Sequence, residues 1–404
     1  MKRVVYITVI LLLVVAIFDP ANKIANLKVP LFVATWFSFV IFVAVEQRVT
    51  VSRSLLLYLS LFVFLFPLLS ITIYALRGNS LTQYDGFKYF QSYLFLTLAI
   101  ILHCTRLDIT RPLSIVLTML SVCIVGTLAV TVVSPDSIPE IYQIGDAYGV
   151  FSLGQRAYGG TTFNLVYFVT APLLVIAVAK YAYLTFVSAG ADRVKYLAAL
   201  IINSGAMFLA GTRNSILFSM LLPLMVFYWY SKKTVVLHGL IAAVAIALVL
   251  LNLDVLSDMF SPADISNQIK LGYIKDYGLI FSRPADVIFG QGLGAFFYSS
   301  SVNDYVSITE LTYLEFVRNF GLVVAVLYYG LLLYPLSGLR KITHEGDHWL
   351  YLAYIAYLVM SFSNPMIVHS SGMLVLAVIL QKTFKVRTIS ASPAKASDPS
   401  VLRV

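Results

Sequence analysis

Arginines that border the apolar runs of this sequence are its best candidates for chemistry on an anion. They are Arg77, Arg156, Arg213, Arg283 and Arg318. A guanidinium offers a planar fork of donors that matches two oxygens of one phosphate group. Arg213 carries the strongest signal, because it lies at a break between two apolar runs, where a cation is costly and marks a site by default. The alternative for Arg213 is an ion pair with a loop carboxylate such as Asp254 or Asp258, and the alternative for Arg156 is an ordinary surface position.

Two carboxylates precede the apolar run that contains Arg318. Glu315 lies three residues before Arg318, which is the spacing of an ion pair on one helix face, so we interpret these two residues as a structural pair. Arg318 is also kept as a candidate substrate-binding residue. Glu310 has no local partner, so a raised pKa and a role as general base are open to it. An exposed carboxylate at the start of a helix explains its position equally well.

Three closely spaced glycines, Gly290, Gly292 and Gly294, follow Arg283 along the chain. Glycine permits backbone conformations that let amide groups approach an anionic ligand, so this turn is a candidate substrate-binding element. The spacing also resembles a dinucleotide-binding loop. No first strand of a βαβ unit precedes it, however, so the turn does not predict nucleotide binding.

The histidines form no catalytic or metal-binding set, since their spacing matches neither a Ser-His-Asp arrangement nor a metal site. They are His103, His238, His344, His348 and His369. Only His369 is predicted to lie towards the face that carries the arginines, near the end of the last apolar run, and it is the reserve candidate for a base. We predict no metal and no cofactor.

The elements that hold these residues must be membrane helices. Of the 404 residues, 60% are apolar and 12% are charged, which excludes a soluble globular protein and a disordered chain. A helix of about 20 apolar residues crosses a bilayer, and we predict about twelve such spans in an all-α polytopic protein. The predicted spans are 4–18, 29–45, 54–76, 89–104, 112–133, 161–187, 196–211, 214–230, 235–251, 317–337, 349–362 and 365–383.

The distribution of basic residues predicts the orientation of these spans. The net charge is +9, and the basic residues are scattered between apolar runs rather than clustered, which does not predict nucleic-acid binding. They are in excess in the segments that face the cytoplasm when both termini are placed there. Residues 1–384 are then one transmembrane domain, with a large outer loop at 252–316 between spans 9 and 10. Residues 385–404 are predicted to be a disordered cytoplasmic tail.

The large outer loop is predicted to contain a helix. Ser261-Pro262-Ala263-Asp264 is typical of a helix start, and apolar residues recur at roughly helical spacing between Ile265 and Ile280. Such a helix could lie at the membrane interface as a lid over a site, or it could simply cover polar ends of the spans.

Three short segments together resemble the bacterial O-antigen polymerases, a family related to the O-antigen ligases. The first segment is the break Ala210-Gly-Thr-Arg-Asn-Ser215. The second is Arg283-Pro-Ala-Asp-Val-Ile-Phe-Gly-Gln-Gly-Leu-Gly294, and the third is Glu310-Leu-Thr-Tyr-Leu-Glu-Phe-Val-Arg-Asn-Phe-Gly321. The motifs span roughly residues 196–384, and the number of spans and the loop placement extend the resemblance to the whole chain.

The resemblance implies a glycosyl-transfer enzyme of the bacterial inner membrane. Such polymerases join glycan repeat units carried on undecaprenyl pyrophosphate at the periplasmic face, without a nucleotide sugar and in some cases beside a chain-length regulator protein. The leaving group is anionic, so Arg213 and Arg283 are expected to stabilise it. Glu310 is expected to accept the proton of the acceptor hydroxyl. Arg156, Arg318, His369 and the glycine turn are expected to contribute to substrate binding.

Two other functions are compatible with these features. A ligase would transfer finished glycan to the lipid A core, but ligases place a histidine where this chain has Glu310, which favours a polymerase. A flippase of lipid-linked oligosaccharide also has about twelve spans, but it should show paired halves or charges deep in several spans. Here the distinctive residues are concentrated after residue 200.

Overall fold

The described part of the chain is mostly helical, and four helices within it are long and apolar enough to cross a membrane. The computed structural model describes residues 1–46, 49–79, 86–158, 161–231, 261–262, 264–341, 347–384 and 401–403. The four long apolar helices span Lys28–Glu46, Arg53–Leu76, Thr110–Val133 and Thr312–Lys341. The coarse prediction of a helical membrane protein is therefore supported.

Helices make up nearly all the regular structure of the described residues. In chain order they are α1 (Lys2–Phe18), α2 (Lys28–Glu46), α3 (Arg53–Leu76, with a π-helical turn at Ser60–Leu65), α4 (Gly86–Leu94), α5 (Leu98–Thr105), α6 (Thr110–Val133), α7 (Ile138–Tyr148), α8 (Leu174–Val187), α9 (Gly190–Leu209), α10 (Arg213–Tyr230), α11 (Ile265–Phe281), α12 (Pro284–Phe289), α13 (Thr312–Lys341), α14 (His348–Met360) and α15 (Ser370–Thr383). Each predicted span contains one of these helices except 235–251, which lies outside the described residues.

Three short antiparallel pairs of strands accompany the helices. They are β1 (Thr50–Ser52) with β6 (Val401–Arg403), β2 (Phe151–Tyr158) with β3 (Thr161–Phe168), and β4 (Phe297–Ser299) with β5 (Asp304–Val306). The prediction that span 6 begins at residue 161 is wrong, because residues 161–168 form β3. This segment is rich in β-branched and aromatic residues, which favour a strand, and a hydropathy pattern alone does not separate a short apolar strand from a helix.

The packing of α2 illustrates how these helices are suited to lipid. Thr35 and Ser38 are buried against the rest of the protein, whereas Val33, Phe37 and Val40 are exposed. The Ser38 hydroxyl lies 3.3 Å from the Thr8 hydroxyl of α1. A soluble amphipathic helix has the opposite arrangement, with its apolar stripe inside. Small polar residues between helices and apolar residues outside are typical of packing in a bilayer.

Contacts between chain segments fall into two groups, one at each end of the helix bundle. The first group, at the end that also holds the β2–β3 hairpin and is here called the hairpin end, comprises Thr170–Ile17, Lys28–Ser370, Arg77–Asp286, Asn214–Ser363 and Arg213–Asp264. The second group, at the far end, comprises Lys382–Asp108, Lys382–Asp347, Trp349–Tyr230 and the β1–β6 pair. These contacts bring together helix ends that are far apart in the sequence, and the number and orientation of the spans stay a prediction.

The large loop contains the predicted helix and packs onto α13. Asp264 is the N-cap of α11, and its carboxylate accepts the Asn267 N–H at 3.1 Å, which agrees with the predicted helix start. Tyr273 and Tyr277 of α11 are buried against Phe297 and Leu311. The described part of the loop is thus a folded unit. Whether α11 moves as a lid stays a prediction.

Residues 401–403 of the C-terminal tail form β6, which pairs with β1, with Leu402 opposite Val51. The exposed backbone groups of a short edge strand are a template for such pairing. The predicted disorder of the tail 385–404 stays a prediction. Residues 385–400 lie outside the described residues.

Candidate functional site

A cavity of about 260 Å³ at the hairpin end is lined by both Arg213 and Glu310. Five parts of the chain form its wall: the β2–β3 hairpin, the break between α9 and α10, the start of α11, Glu310 just before α13, and the segment between α14 and α15. These parts come from opposite halves of the sequence, so the cavity depends on the tertiary fold. It brings together two of the three residues predicted to be catalytic.

The break between α9 and α10 fixes the position of Arg213. Gly211 has φ +71°, and a side chain there would collide with Leu165 of β3. Thr212 is the N-cap of α10, and its hydroxyl accepts the Ser215 N–H at 3.2 Å. Arg213 is therefore the first residue of α10, where its charge adds to the positive end of the helix dipole. The resulting local potential favours an anion.

Arg213 is held by the start of α11. Its Nη2 lies 2.5 Å from Asp264 Oδ1, its Nη1 donates to Asn267 Oδ1, and its side chain is 13% exposed. The predicted ion pair with a loop carboxylate is thus present, with Asp264 as the partner. Asp254 and Asp258 lie outside the described residues. The buried Nε of Arg213 has no hydrogen-bond partner in the described part of the chain, so one donor remains for a ligand.

Glu310 has no partner close in the sequence, but the fold pairs it with a residue of α11. Its Oε2 lies 3.3 Å from Lys270 Nζ, and its side chain is 57% exposed. Lys270 also lines the cavity, together with Ser266 one turn earlier in α11. The sequence analysis missed Lys270 as a site residue. The spacing of Ser266 and Lys270 along the predicted helix was the available signal, because residues four apart share one side of a helix.

Tyr167 is a second cavity residue that the sequence analysis missed. It lies in β3 and its hydroxyl donates to Asn364 Oδ1 at 3.4 Å. Burial, and secondarily the negative charge of Glu310, raise the pKa of Tyr167 to about 12. The phenol therefore keeps its proton at neutral pH and remains a hydrogen-bond donor. The misassignment of residues 161–168 to a span concealed this residue.

Arg318 is held in structural contacts, which do not support the prediction that it binds substrate. It is 0% exposed and forms the predicted ion pair with Glu315. Its remaining N–H groups donate to Gln291 Oε1 at 3.2 Å, Ala295 O at 2.7 Å and Ser307 O at 2.9 Å. Every donor of the guanidinium is thus used inside the protein, and none is left for a ligand.

The glycine turn also serves packing rather than anion binding. Gly290, Gly292 and Gly294 have φ values of +72°, +96° and +77°, which confirms the need for glycine. The Gln291 N–H donates to Arg318 O at 2.6 Å, and the Gly292 N–H donates to Asn319 O at 3.2 Å. These amides satisfy carbonyls that α13 leaves free at its kink. The turn therefore docks onto α13, and its glycines do not line the cavity.

Arg283 is not brought to the cavity. It is exposed at the start of α12, just after the C-terminal end of α11. Arg213 contacts the opposite end of α11, and a helix of 17 residues is about 25 Å long. The predicted cooperation of Arg283 with Arg213 at one phosphate group is therefore not observed.

The last two predicted binding residues lie elsewhere or cannot be placed. His369 immediately precedes α15 and does not line the cavity, and the next residue, Ser370, accepts a hydrogen bond from Lys28 at 3.1 Å. Arg156 lies in β2 opposite Phe163, two residues beyond Gly154 of the cavity wall. Its side chain lies outside the described part of the structure.

The described residues contain no group of three or more His, Cys, Asp or Glu side chains placed to hold a metal ion.

Comparison with protein families, with curated proteins and with solved structures found no match to this chain.

Proposed function

We propose that the protein is a polymerase of lipid-linked glycan repeat units in the bacterial inner membrane. In this proposal the chain has about twelve spans with both termini in the cytoplasm, and the hairpin end faces the periplasm. Donor and acceptor are repeat units carried on undecaprenyl pyrophosphate. Support comes from the resemblance of three sequence segments to O-antigen polymerases and from the chemistry of the cavity, in which two of those segments meet.

The single observation that carries the proposal is the placement of Arg213, Lys270 and Glu310 around one cavity. Two cations suit a pyrophosphate, and a carboxylate suits the removal of a hydroxyl proton. Each cation is held by a carboxylate, Arg213 by Asp264 and Lys270 by Glu310. A bound pyrophosphate would replace Glu310 as the partner of Lys270, and this exchange would leave Glu310 free to act as a base.

The proposed reaction is a single displacement at the anomeric carbon of the donor. The acceptor hydroxyl oxygen forms a bond to that carbon, and its proton passes to Glu310. The bond between the carbon and the pyrophosphate oxygen breaks, and the electron pair leaves with the pyrophosphate. Arg213 and Lys270 stabilise the negative charge that develops there, an effect for which one donor is typically worth about 10²–10³-fold in rate.

The glycans of a deletion strain test this proposal against its alternatives. A polymerase mutant should retain surface core carrying one repeat unit and lose longer polymer. Loss of every repeat unit from the core would contradict the proposal and would favour a ligase or a flippase. Complementation with the Lys270→Ala variant should fail to restore long polymer, whereas Lys275→Ala, an exposed position on the same helix that does not line the cavity, should restore it.

A further inference from the structure

The outward face of α11 is apolar, although α11 is not one of the four helices suited to cross a membrane. Leu271, Ile274 and Leu279 are exposed, Leu279 by 73%. The polar residues Asp276 and Tyr277 are buried on the side that faces the protein. A soluble amphipathic helix has the reverse arrangement, with its apolar stripe inside. The outward face of α11 therefore suits an apolar medium better than water.

The apolar face continues into α12, which is tied to the end of a membrane helix. Phe289 in the last turn of α12 is 59% exposed. Arg77, the residue directly after α3, pairs with Asp286 of α12, and its Nη2 donates to Ala285 O at 3.2 Å. Leu76, the last residue of α3, is 81% exposed. The contact with α12 is therefore made where the lipid-facing surface of α3 ends.

On its other side α12 packs against α13, at the level where the lipid-facing surface of α13 begins. A Cβ atom at Gly321 would collide with the carbonyl oxygen of Ile288. Residues 311–320 are all at least partly buried, whereas Leu322, directly after Gly321, is exposed. From Gly321 to Lys341, where α13 ends, the helix is about 30 Å long, which is close to the thickness of the hydrocarbon core. The kink at Gly321 therefore marks a boundary of the bilayer.

The charges exposed on this surface are both positive. In residues 265–290 they are Lys275 and Arg283, whereas the carboxylates of Asp276 and Asp286 are buried. The stems of lysine and arginine can lie along lipid while their charged ends reach water or phosphate groups. Because no carboxylate is exposed in this range, the charge of the surface is complementary to that of a phospholipid head-group layer.

We propose that the exposed faces of α11 and α12 lie in the membrane interface at the hairpin end, with Leu279 and Phe289 among the upper acyl chains. The partner is phospholipid, because the face continues the lipid-facing surfaces of α3 and α13. The inference does not rest on the proposed function, since it concerns only how these helices meet the membrane. Because α11 also carries Lys270, this position holds the cavity of Arg213 close to the head groups.

Quenching by spin-labelled lipids tests the assignment in the full-length protein in nanodiscs. The two cysteines of the chain, Cys104 and Cys123, are first replaced by alanine. An NBD dye is then attached in the variants Leu279→Cys and Phe289→Cys, one at a time. Because an interfacial helix lies about 5–10 Å deep, lipid with a doxyl group near the head of its acyl chain should lower the emission by about twofold or more.

Two further labelled positions calibrate the measurement. Leu327→Cys is the positive reference, because Leu327 is exposed on the membrane helix α13. Asp304→Cys is the matched control, because Asp304 is exposed in β5, and the strand paired with β5 packs on the buried side of α11 through Phe297. Quenching at Leu279→Cys and Phe289→Cys should exceed that at Asp304→Cys.

Two results would overturn the inference. Quenching at Leu279→Cys and Phe289→Cys no stronger than at Asp304→Cys, with the emission maximum of a dye in water, would place the face in solvent. A blue-shifted emission maximum without quenching would mean that protein covers the face, either another segment of this chain or a second copy of it.

Discussion

Arg213 and Lys270 are cations that have carboxylate partners within the protein. Exposed ion pairs contribute little stability, about 0–1 kcal/mol at the median, so a pyrophosphate can displace the half-exposed Glu310 from Lys270 more easily than it can displace Asp264 from Arg213. The fully buried pair of Arg318 and Glu315 is different, because removing either partner would leave an unpaired buried charge. Burial therefore distinguishes Arg213, which borders the cavity and can bind a ligand, from Arg318, which is fully buried in structural contacts.

The positions of Arg213 and Arg283 predict unequal effects of their removal. Arg213→Ala should reduce polymer formation in purified protein by about 10²–10³-fold, because one charge-stabilising donor is lost at the cavity. Arg283→Ala should reduce it by less than about tenfold, because Arg283 lies beyond the other end of α11. The measurement is the length distribution of glycan made from a synthetic lipid-linked repeat unit. Equal, large losses for both variants would show that Arg283 reaches the site in the working enzyme.

The Glu315–Arg318 pair was predicted from its spacing, and the break before Arg213 is visible in the sequence. The catalytic roles of Arg213 and Glu310 stay predictions. The pair of Lys270 and Glu310 could not be predicted in the same way, since its partners are distant in the chain and meet only after α11 packs onto α13. The glycine turn shows a different limit. The sequence predicted that the turn needs glycine. It did not predict that the amides of the turn donate to carbonyls of α13, because the kink that exposes these carbonyls leaves no signal in the hydropathy pattern.

At the scale of elements, the kink in α13 is the feature that supports the large loop. Gly321 has φ +76° inside the helix, and a Cβ atom there would collide with the carbonyl of Ile288. The kink exposes the carbonyls of Arg318 and Asn319, which receive the amides of the glycine turn. The position of α12, and through it the end of α11, thus depends on one glycine.

Gly321→Ala is therefore predicted to destabilise the protein by more than about 1 kcal/mol, because alanine is strained at positive φ and lacks space. Gly330→Ala in the same helix is the matched control, since a Cβ atom there meets nothing within 4 Å and its φ is ordinary. Thermal unfolding in detergent should show a lower Tm for the first variant only. Equal Tm values for both variants would mean that the kink does not hold the loop.

The β2–β3 hairpin is the element that sequence reasoning failed to identify. Residues 161–168 continue into the apolar run of α8 without a charged residue, so hydropathy joins strand and helix into one span. The helices α10 and α11, in contrast, begin at residues with capping side chains, Thr212 and Asp264, and their starts were predicted correctly. Local capping chemistry is visible in sequence, whereas the pairing of two strands is not.

For the whole molecule, the predicted topology can be measured. Reporter fusions near Asp146 and Asn267 should give a periplasmic signal, because these residues belong to the hairpin end. Fusions at Lys233, Lys341 and the C-terminal tail should give a cytoplasmic signal. A cytoplasmic signal at Asn267 would place the cavity on the wrong side of the membrane for a periplasmic polymerase.

The most direct test of the central claim is the turnover of the Glu310→Gln variant. Purified protein is supplied with a synthetic lipid-linked repeat unit across a range of pH, and Glu46→Gln at the far end of α2 serves as the matched control. Loss of a general base typically lowers a rate by about 10²–10⁴-fold, so Glu310→Gln should bind the donor but polymerise slowly at every pH. Turnover close to wild type at all pH values would contradict the assignment of Glu310 as the base in this cavity.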